Sequence, residues 1–273
     1  MPDKAYNWIG APGKRGTEFW RAILIGRGKA SLNILLTNDD GFEAPGIRAA
    51  YEALAPIGSV QVIAPKRECS ACSHRITLGR PMSVERIEHE RFGSIYAVDG
   101  TPADCVRLGI YQLADVRPDL LVAGINRGAN AGVDVFYSGT VAAAREGAIF
   151  GIKSIAVSQA VRIDVEIDWA AAARVTTLVT GLLLADSLPG PGFWSVNLPS
   201  PIPADAESRI RRVPPALGPT PLEFVRKERH DGRAMEFEYE APYWERPVQM
   251  QTDYGAICNG DVAVSAISLG GRF

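Results

Sequence analysis

ILLTNDDGFEAPGIRAAYEAL, residues 34–54, decides the fold class of this 273-residue chain. Asn33 to Thr37 reads as a continuous, largely apolar strand. Gly41 then supplies a sharp turn, and Pro45 sits where a first helical turn tolerates it, opening a helix with Ile47, Tyr51 and Leu54 on one face. A buried strand running directly into an amphipathic helix is the opening unit of a parallel sheet with crossover helices.

The alternation continues outward from that unit. Val60 to Ala64, closed by Pro65, is a second strand. Met82 to Ile87 and Ser94 to Val98 read as an antiparallel excursion around Gly93. Thr101 is an N-cap with Pro102 at the first helical position, and Val106, Ile110 and Leu113 continue a buried stripe. Asp119 to Ala123 is a strand buried on both faces, followed by a Gly- and Asn-rich loop, Gly124 to Gly139, and a small-residue helix, Thr140 to Ile149. Ser154 to Ser158, a helix from Asp168 to about Ala185, and Phe193 to Leu198 complete an α/β layer. The expected organisation is an N-terminal extension over 1–31, an α/β core over 32–206, and a β-ribbon region over 207–273. In that last region Leu222 to Lys227 and Ala234 to Tyr239 flank the turn His230, Asp231, Gly232. Asp261 to Leu269 alternates as a strand that either returns to the sheet or pairs across a subunit interface.

Composition narrows the partners. The chain is 47% hydrophobic and 22% charged, with 29 basic and 31 acidic residues and a formal charge of -2, so no polycationic surface for nucleic acid or anionic membrane is implied. The longest apolar runs, such as 119–125, fall far short of the roughly 20 residues of a membrane-spanning helix. Cys69, Cys72, Cys105 and Cys258 are too scattered for a disulfide scaffold, which points to the cytoplasm. Residues 1–31 carry no sustained period and read as a disordered appendage; Arg21 interrupts the run Phe19 to Ile25 that a signal peptide would need.

The chemistry gathers at strand ends, where open parallel sheets bind ligands. Asp39 and Asp40 emerge side by side from the first strand, and adjacent carboxylates repel unless a cation lies between them. Hard oxygen ligands suit Mg²⁺ or Mn²⁺, which would hold phosphate oxygens and orient a water. The alternative is a helix cap and a solvated acid. The strand from Asp119 delivers Asn126 and Asn130 to the same edge. Ser138, Gly139 and Thr140 precede a helix whose start is suited to an anion, although Ser138 or Thr140 also reads as a simple cap. Gly26-Arg27-Gly28 lacks a preceding strand, so it is no dinucleotide fingerprint. Cys69, Cys72 and His74 make half a zinc site without its partner, and His89 and His230 read as solvated.

The opening stretch closely resembles the start of the stationary-phase survival protein SurE family of divalent-metal 5'-nucleotidases. Four further segments agree in order: VIAPKRECSACSHRITL (62–78), GTPADCVRLG (100–109), residues 117–158 from RPDLLVAGINRGAN to GIKSIAVS, and NLP (197–199). The resemblance implies a Rossmann-like, three-layer, mostly parallel sheet with a protruding β-hairpin. It implies one divalent cation per subunit, Mg²⁺ or Mn²⁺, on Asp39, Asp40, Ser70 and Asn126, with a phosphate pocket of Asn38, Asn130, Ser138, Gly139 and Thr140. On this basis Asp39, Asp40, Asn130, Ser138 and Thr140 would carry catalysis on nucleoside monophosphates in a homodimer or homotetramer. The chain departs from the family at Cys69, where an Arg is common, at Lys66 in place of an Asp, and at Ala129 in place of a Pro. It also ends soon after Leu269, where relatives often continue into an exchanged tail, which leaves room for a smaller assembly. A different class of function, a non-catalytic receiver-like module, would use the same acid pair but needs an acceptor Asp at the end of a middle strand.

Overall fold

The computed structural model describes residues 31–188, 190–218, 222–227, 235–240 and 243–270. The readings for residues 1–30 and for the turn at His230 lie outside them. In chain order the elements are β1 (Leu32–Thr37), α1 (Pro45–Leu54), β2 (Gly58–Pro65), β3 (Val84–His89), β4 (Gly93–Val98), α2 (Pro102–Leu108), β5 (Leu120–Arg127), α3 (Gly139–Ile149), β6 (Lys153–Gln159), α4 (Trp169–Ala185) and β7 (Gly192–Leu198). They are followed by β8 (Ile210–Arg212), β9 (Glu223–Lys227), β10 (Glu236–Glu240), α5 (Asp253–Cys258) and β11 (Val262–Ser268).

Nine strands form one sheet in the order β3-β4-β2-β1-β5-β6-β7-β11-β8. From β4 to β7 every pairing is parallel. β3 runs antiparallel to β4 and β11 antiparallel to β7. The chain winds from β1 outward to β2 and β4, then returns past β1 to β5, β6 and β7. Strand order therefore reverses between β1 and β5, and the carboxyl ends of these two strands are where such a sheet opens a crevice.

The period-two alternation of β1 accounts for the three layers. Ile34 and Leu36 join Ile47 and Leu54 of α1 and Val175 and Val179 of α4 in one core. Leu35, on the other face, joins Cys105 and Val106 of α2 and Val141 and Ala144 of α3. With both faces covered, the central strands β1, β5, β6 and β7 are largely buried, and the α/β class read from the sequence is the one observed.

Some elements differ from expectation. β5 extends through Arg127 because its register with β6 shifts between Ala123 and Asn126 and then resumes, pairing Asn126 with Ser158. Such an irregularity re-aims the residue that follows it. α2 carries the expected cap, completed by Asp104 into a capping box, but ends at Leu108 and widens into a π-turn over Gly109–Leu113. β11 returns to the sheet, and β8 beside it was not anticipated. Neither was α5, which buries Tyr254 and Ile257 in a small third core. β9 and β10 pair antiparallel as a separate ribbon. His89 is not simply solvated: its ring stacks on Phe92 at 4.1 Å and its Nδ1 accepts the Arg91 N–H.

Leu36 is fully buried in the central strand. Leu36→Ala is expected to lower unfolding stability by about 3 kcal/mol through lost burial and a residual cavity. A urea titration reads this as a lower midpoint with unchanged slope.

Candidate active site

β1 ends in Thr37 and runs into Asn38 and Asp39, all buried, and then Asp40, which is half-buried. The Asn38 side-chain amide donates to Gly41 O at 2.7 Å, and Gly41 takes φ of 97°, so the chain folds back immediately after the acid pair. The other end of that amide, Asn38 Oδ1, is buried without a hydrogen-bond partner.

Asp39 is held by the start of α3. Thr140 Oγ1 donates to Asp39 Oδ1, and the Thr140 N–H donates to Oδ2 at 3.1 Å. This contact dictates the residue before it. A Cβ at Gly139 would lie 2.9 Å from both Asp39 Oδ2 and Cys72 Sγ, so only glycine lets the helix end approach the acid. Ser138 Oγ accepts the Val141 N–H at 3.1 Å and is the N-cap, which leaves its hydroxyl proton free to donate.

Asp40 Oδ2 accepts the Arg127 N–H at 3.0 Å, which draws the end of β5 against the acid pair. Asn126 lies one residue earlier, its Nδ2 donating to Gly128 O at 2.7 Å, so its carbonyl oxygen remains as an acceptor. Ser70 is exposed and donates to Glu68 Oε1 at 2.6 Å, but its loop is fastened to the site on both sides. The Cys69 N–H donates to Asp39 O at 2.7 Å and the Ser73 N–H to Tyr137 O at 2.9 Å. The four oxygen donors named from the resemblance thus come from segments that hydrogen bonds join around Asp39 and Asp40.

Two of the residues expected at the phosphate make hydrogen bonds within the protein. Thr140 was expected at the phosphate, yet both its hydroxyl and its amide serve Asp39. Asn130 donates its side-chain amide to Ser158 Oγ at 2.8 Å, and its backbone exchanges hydrogen bonds with the Asn197 side chain at 2.7 and 3.2 Å. It pins the loop onto β6 and β7 from a buried position.

Other residues were not singled out in the sequence. Glu146, on α3, is buried and pairs with His74 at 2.6 Å and with Arg107. Burial alone would raise its carboxyl; the hydrogen bonds from His74 and Arg107 hold it below its ordinary range. His74 is therefore spent in anchoring the Ser70 loop to α3. His74 follows Cys69 and Cys72 in that loop, and among the described residues no group of three His, Cys, Asp or Glu side chains is clustered for a metal ion. Burial also raises both of those thiols, Cys72 to about 11. Asp134 pairs with Arg246 through contacts of 2.6 and 2.9 Å. Asp253 accepts the Gly132 N–H at 2.7 Å, so the carboxy-terminal segment clamps the loop that leads to Ser138. Spacing carried no sign of these partners.

Burial pushes Asp39 up from 3.8 to about 6, against the Thr140 hydrogen bonds and aided by repulsion from Asp40. Burial raises Asp40 as well, opposed by the Arg127 N–H and assisted by the charge of Glu68. A folded carboxyl raised in this way binds its proton more tightly than the unfolded chain does. Its contribution to stability is full below about pH 4 and is lost as pH rises through about 6. With chelator present, Asp39→Asn is expected to be more stable than the parent at about pH 8, by roughly 3 kcal/mol at most, and to show a smaller decline than the parent between those values. Urea denaturation near pH 4 and near pH 8 measures both.

The site has relatives. Residues 34–214 match the family model described as "Survival protein SurE". A "5'-nucleotidase SurE" of Geotalea uraniireducens (strain Rf4) is 40% identical over 244 residues, covering 87% of this chain and 93% of the relative. A "5'-nucleotidase SurE" of Pelobacter propionicus (strain DSM 2379 / NBRC 103807 / OttBd1) is 48% identical over 168 residues, 62% of this chain and 66% of its own. The crystal structure of Sure Protein from Aquifex aeolicus superposes with a TM-score of 0.74 at 33% identity, covering 88% of this chain and 94% of that one. With the family match spanning most of the sheet and both acids within it, the chain belongs to the SurE family.

Proposed function

We propose that this chain is a 5'-nucleotidase that hydrolyses nucleoside 5'-monophosphates to nucleoside and phosphate, using one divalent cation, Mg²⁺ or Mn²⁺. The observation that carries the reading is the pair Asp39 and Asp40 at the strand-order reversal, both raised by burial and Asp39 also by the charge of Asp40, with no basic side chain paired to Asp39 among the described residues. A dication fits this donor set. Two carboxylates, the Asn126 carbonyl and the Ser70 hydroxyl are hard oxygen donors, and Asn38 Oδ1 adds a buried acceptor that lacks a partner. Bound there, the cation supplies positive charge against the phosphoryl oxygens and lowers the pKa of an attacking water.

The chain's own residues do the remaining work. Thr140 fixes both oxygens of Asp39, so the acid is oriented before substrate arrives. The Ser138 hydroxyl, already accepting from Val141, keeps its proton for a phosphate oxygen, and the start of α3 adds favourable backbone dipoles. Asn130 and Asn197 hold the connecting loop in place. Asp40, tethered through Oδ2 only, keeps Oδ1 to orient the water.

The receiver-like alternative needs an acceptor Asp at the end of a middle strand, and β5 ends instead in Ala123, Gly124, Ile125, Asn126 and Arg127. We place the protein in the cytoplasm on its four free cysteines; among the described residues no helix is long and apolar enough to cross a membrane. Exposed Leu222, Phe224, Phe237 and Tyr239 on and beside the β9–β10 ribbon support assembly as a homodimer or homotetramer through residues 207–250.

Phosphate release from AMP, GMP and CMP is expected to vanish with chelator and return with Mg²⁺ or Mn²⁺. Asp40→Asn is expected to lower kcat at least about 100-fold. Turnover indifferent to both treatments would sink the cation mechanism.

A further inference from the structure

Phe136 and Tyr137 immediately precede Ser138, and their side chains are 56% and 62% exposed. Single exposed apolar residues need no explanation, but these two differ in how their backbone is held. Each carbonyl from Asp134 to Tyr137 accepts a hydrogen bond. Asp134 O takes the N–H groups of Tyr137 and Ser138, both at 3.0 Å. Val135 O takes Arg145 Nη2 at 2.6 Å, Phe136 O takes Ser73 Oγ at 2.7 Å, and Tyr137 O takes the Ser73 N–H at 2.9 Å. The Arg246 pair fastens the Asp134 side chain from the opposite side.

The segment is thus rigid in its main chain and open in its rings. The hydrogen bonds from Ser73 also set its location, because Ser73 closes the Ser70 loop while Tyr137 leads straight into Ser138, Gly139 and Thr140. The aromatic pair stands where the cation loop meets the helix start.

We propose that Tyr137 is the stacking platform for the base of the nucleotide substrate. This rests on the reading of Ser138 and the start of α3 as the phosphate site. A nucleoside 5'-monophosphate carries its base one sugar away from its phosphate, and Tyr137 stands one residue from Ser138. An aromatic face serves any base, because stacking needs a π-surface and no particular hydrogen-bonding edge. Tyrosine suits an exposed platform: its ring supplies apolar area while its hydroxyl stays in water. The backbone bonds fix the main chain from which the ring projects, so less of the segment has to be ordered on binding.

The test uses the Mn²⁺-loaded full chain with two substrates, AMP and ribose 5-phosphate, which share the phosphate and sugar but differ in the base. Tyr137→Ala is expected to raise KM for AMP about tenfold or more and to leave KM for ribose 5-phosphate within about twofold, with kcat little changed on either. Tyr137→Phe, which keeps the ring, is expected to restore the AMP value. An equal change on both substrates, no change on AMP, or the effect appearing with Phe136→Ala in place of Tyr137→Ala would overturn the assignment. Ser138→Ala separates the underlying reading: if it leaves turnover of both substrates intact, the phosphate site is misplaced, whatever Tyr137 does.

Discussion

The structure turns on the burial of one charge. Asp39 is 4% exposed, and a carboxylate so far from water is costly unless donors and positive charge surround it. Its donors come from Thr140, 101 residues further along, so the acid sets where α3 must start. Much of the local sequence serves that closeness. Gly139 removes the side chain that would meet Asp39 and Cys72, Ser138 caps the helix from outside, and Glu146, nearly two turns beyond the contact, ties the Ser70 loop back onto α3 through His74.

How much of this the sequence revealed depended on the range of the interaction. The acid pair, the helix after Pro45, the cap at Thr101 and the strands of the sheet other than β8 were legible because each follows from neighbours a few residues away. The strand of Leu35 carries apolar side chains toward both cores, and that pattern alone implies two covering layers. The resemblance added Ser70, which no local rule would have chosen. What stayed hidden was contact between remote segments. Thr140 looked like an anion donor because a helix start is generically one, but the nearby anion it serves is a side chain of the protein itself. His74 looked like part of a metal motif because its Glu146 partner lies 72 residues away.

The carboxy-terminal region was legible only in part, for a related reason. Its proline clusters and charged, aromatic composition suggested a ribbon, and β9 and β10 form one. β11 returns to the sheet, one of the two readings open to Asp261 to Leu269, whereas β8 beside it and α5, which buries Tyr254 against Ala131 and Ala160, were not foreseen. α5 is only six residues long, too short for a helical period to stand out. Its cap, Thr252, and its acid, Asp253, look ordinary until Asp253 is seen to accept from Gly132, Ala216 and Tyr254 together.

That clamp bears on how the site is kept in shape. The loop from Asn130 to Ser138 buries Ala131 and Val135 in two separate cores, and the rest of its position is fixed by polar contacts made from outside it. Asn197 and Ser158 hold one end, Asp253 and Arg246 the middle, and Ser73 and Arg145 the end nearest the helix. These partners lie on β7, β6, the carboxy-terminal segment, the Ser70 loop and α3. A displacement of Arg246 or Asp253 would therefore reach the cap of α3 through a few hydrogen bonds, and from there Asp39.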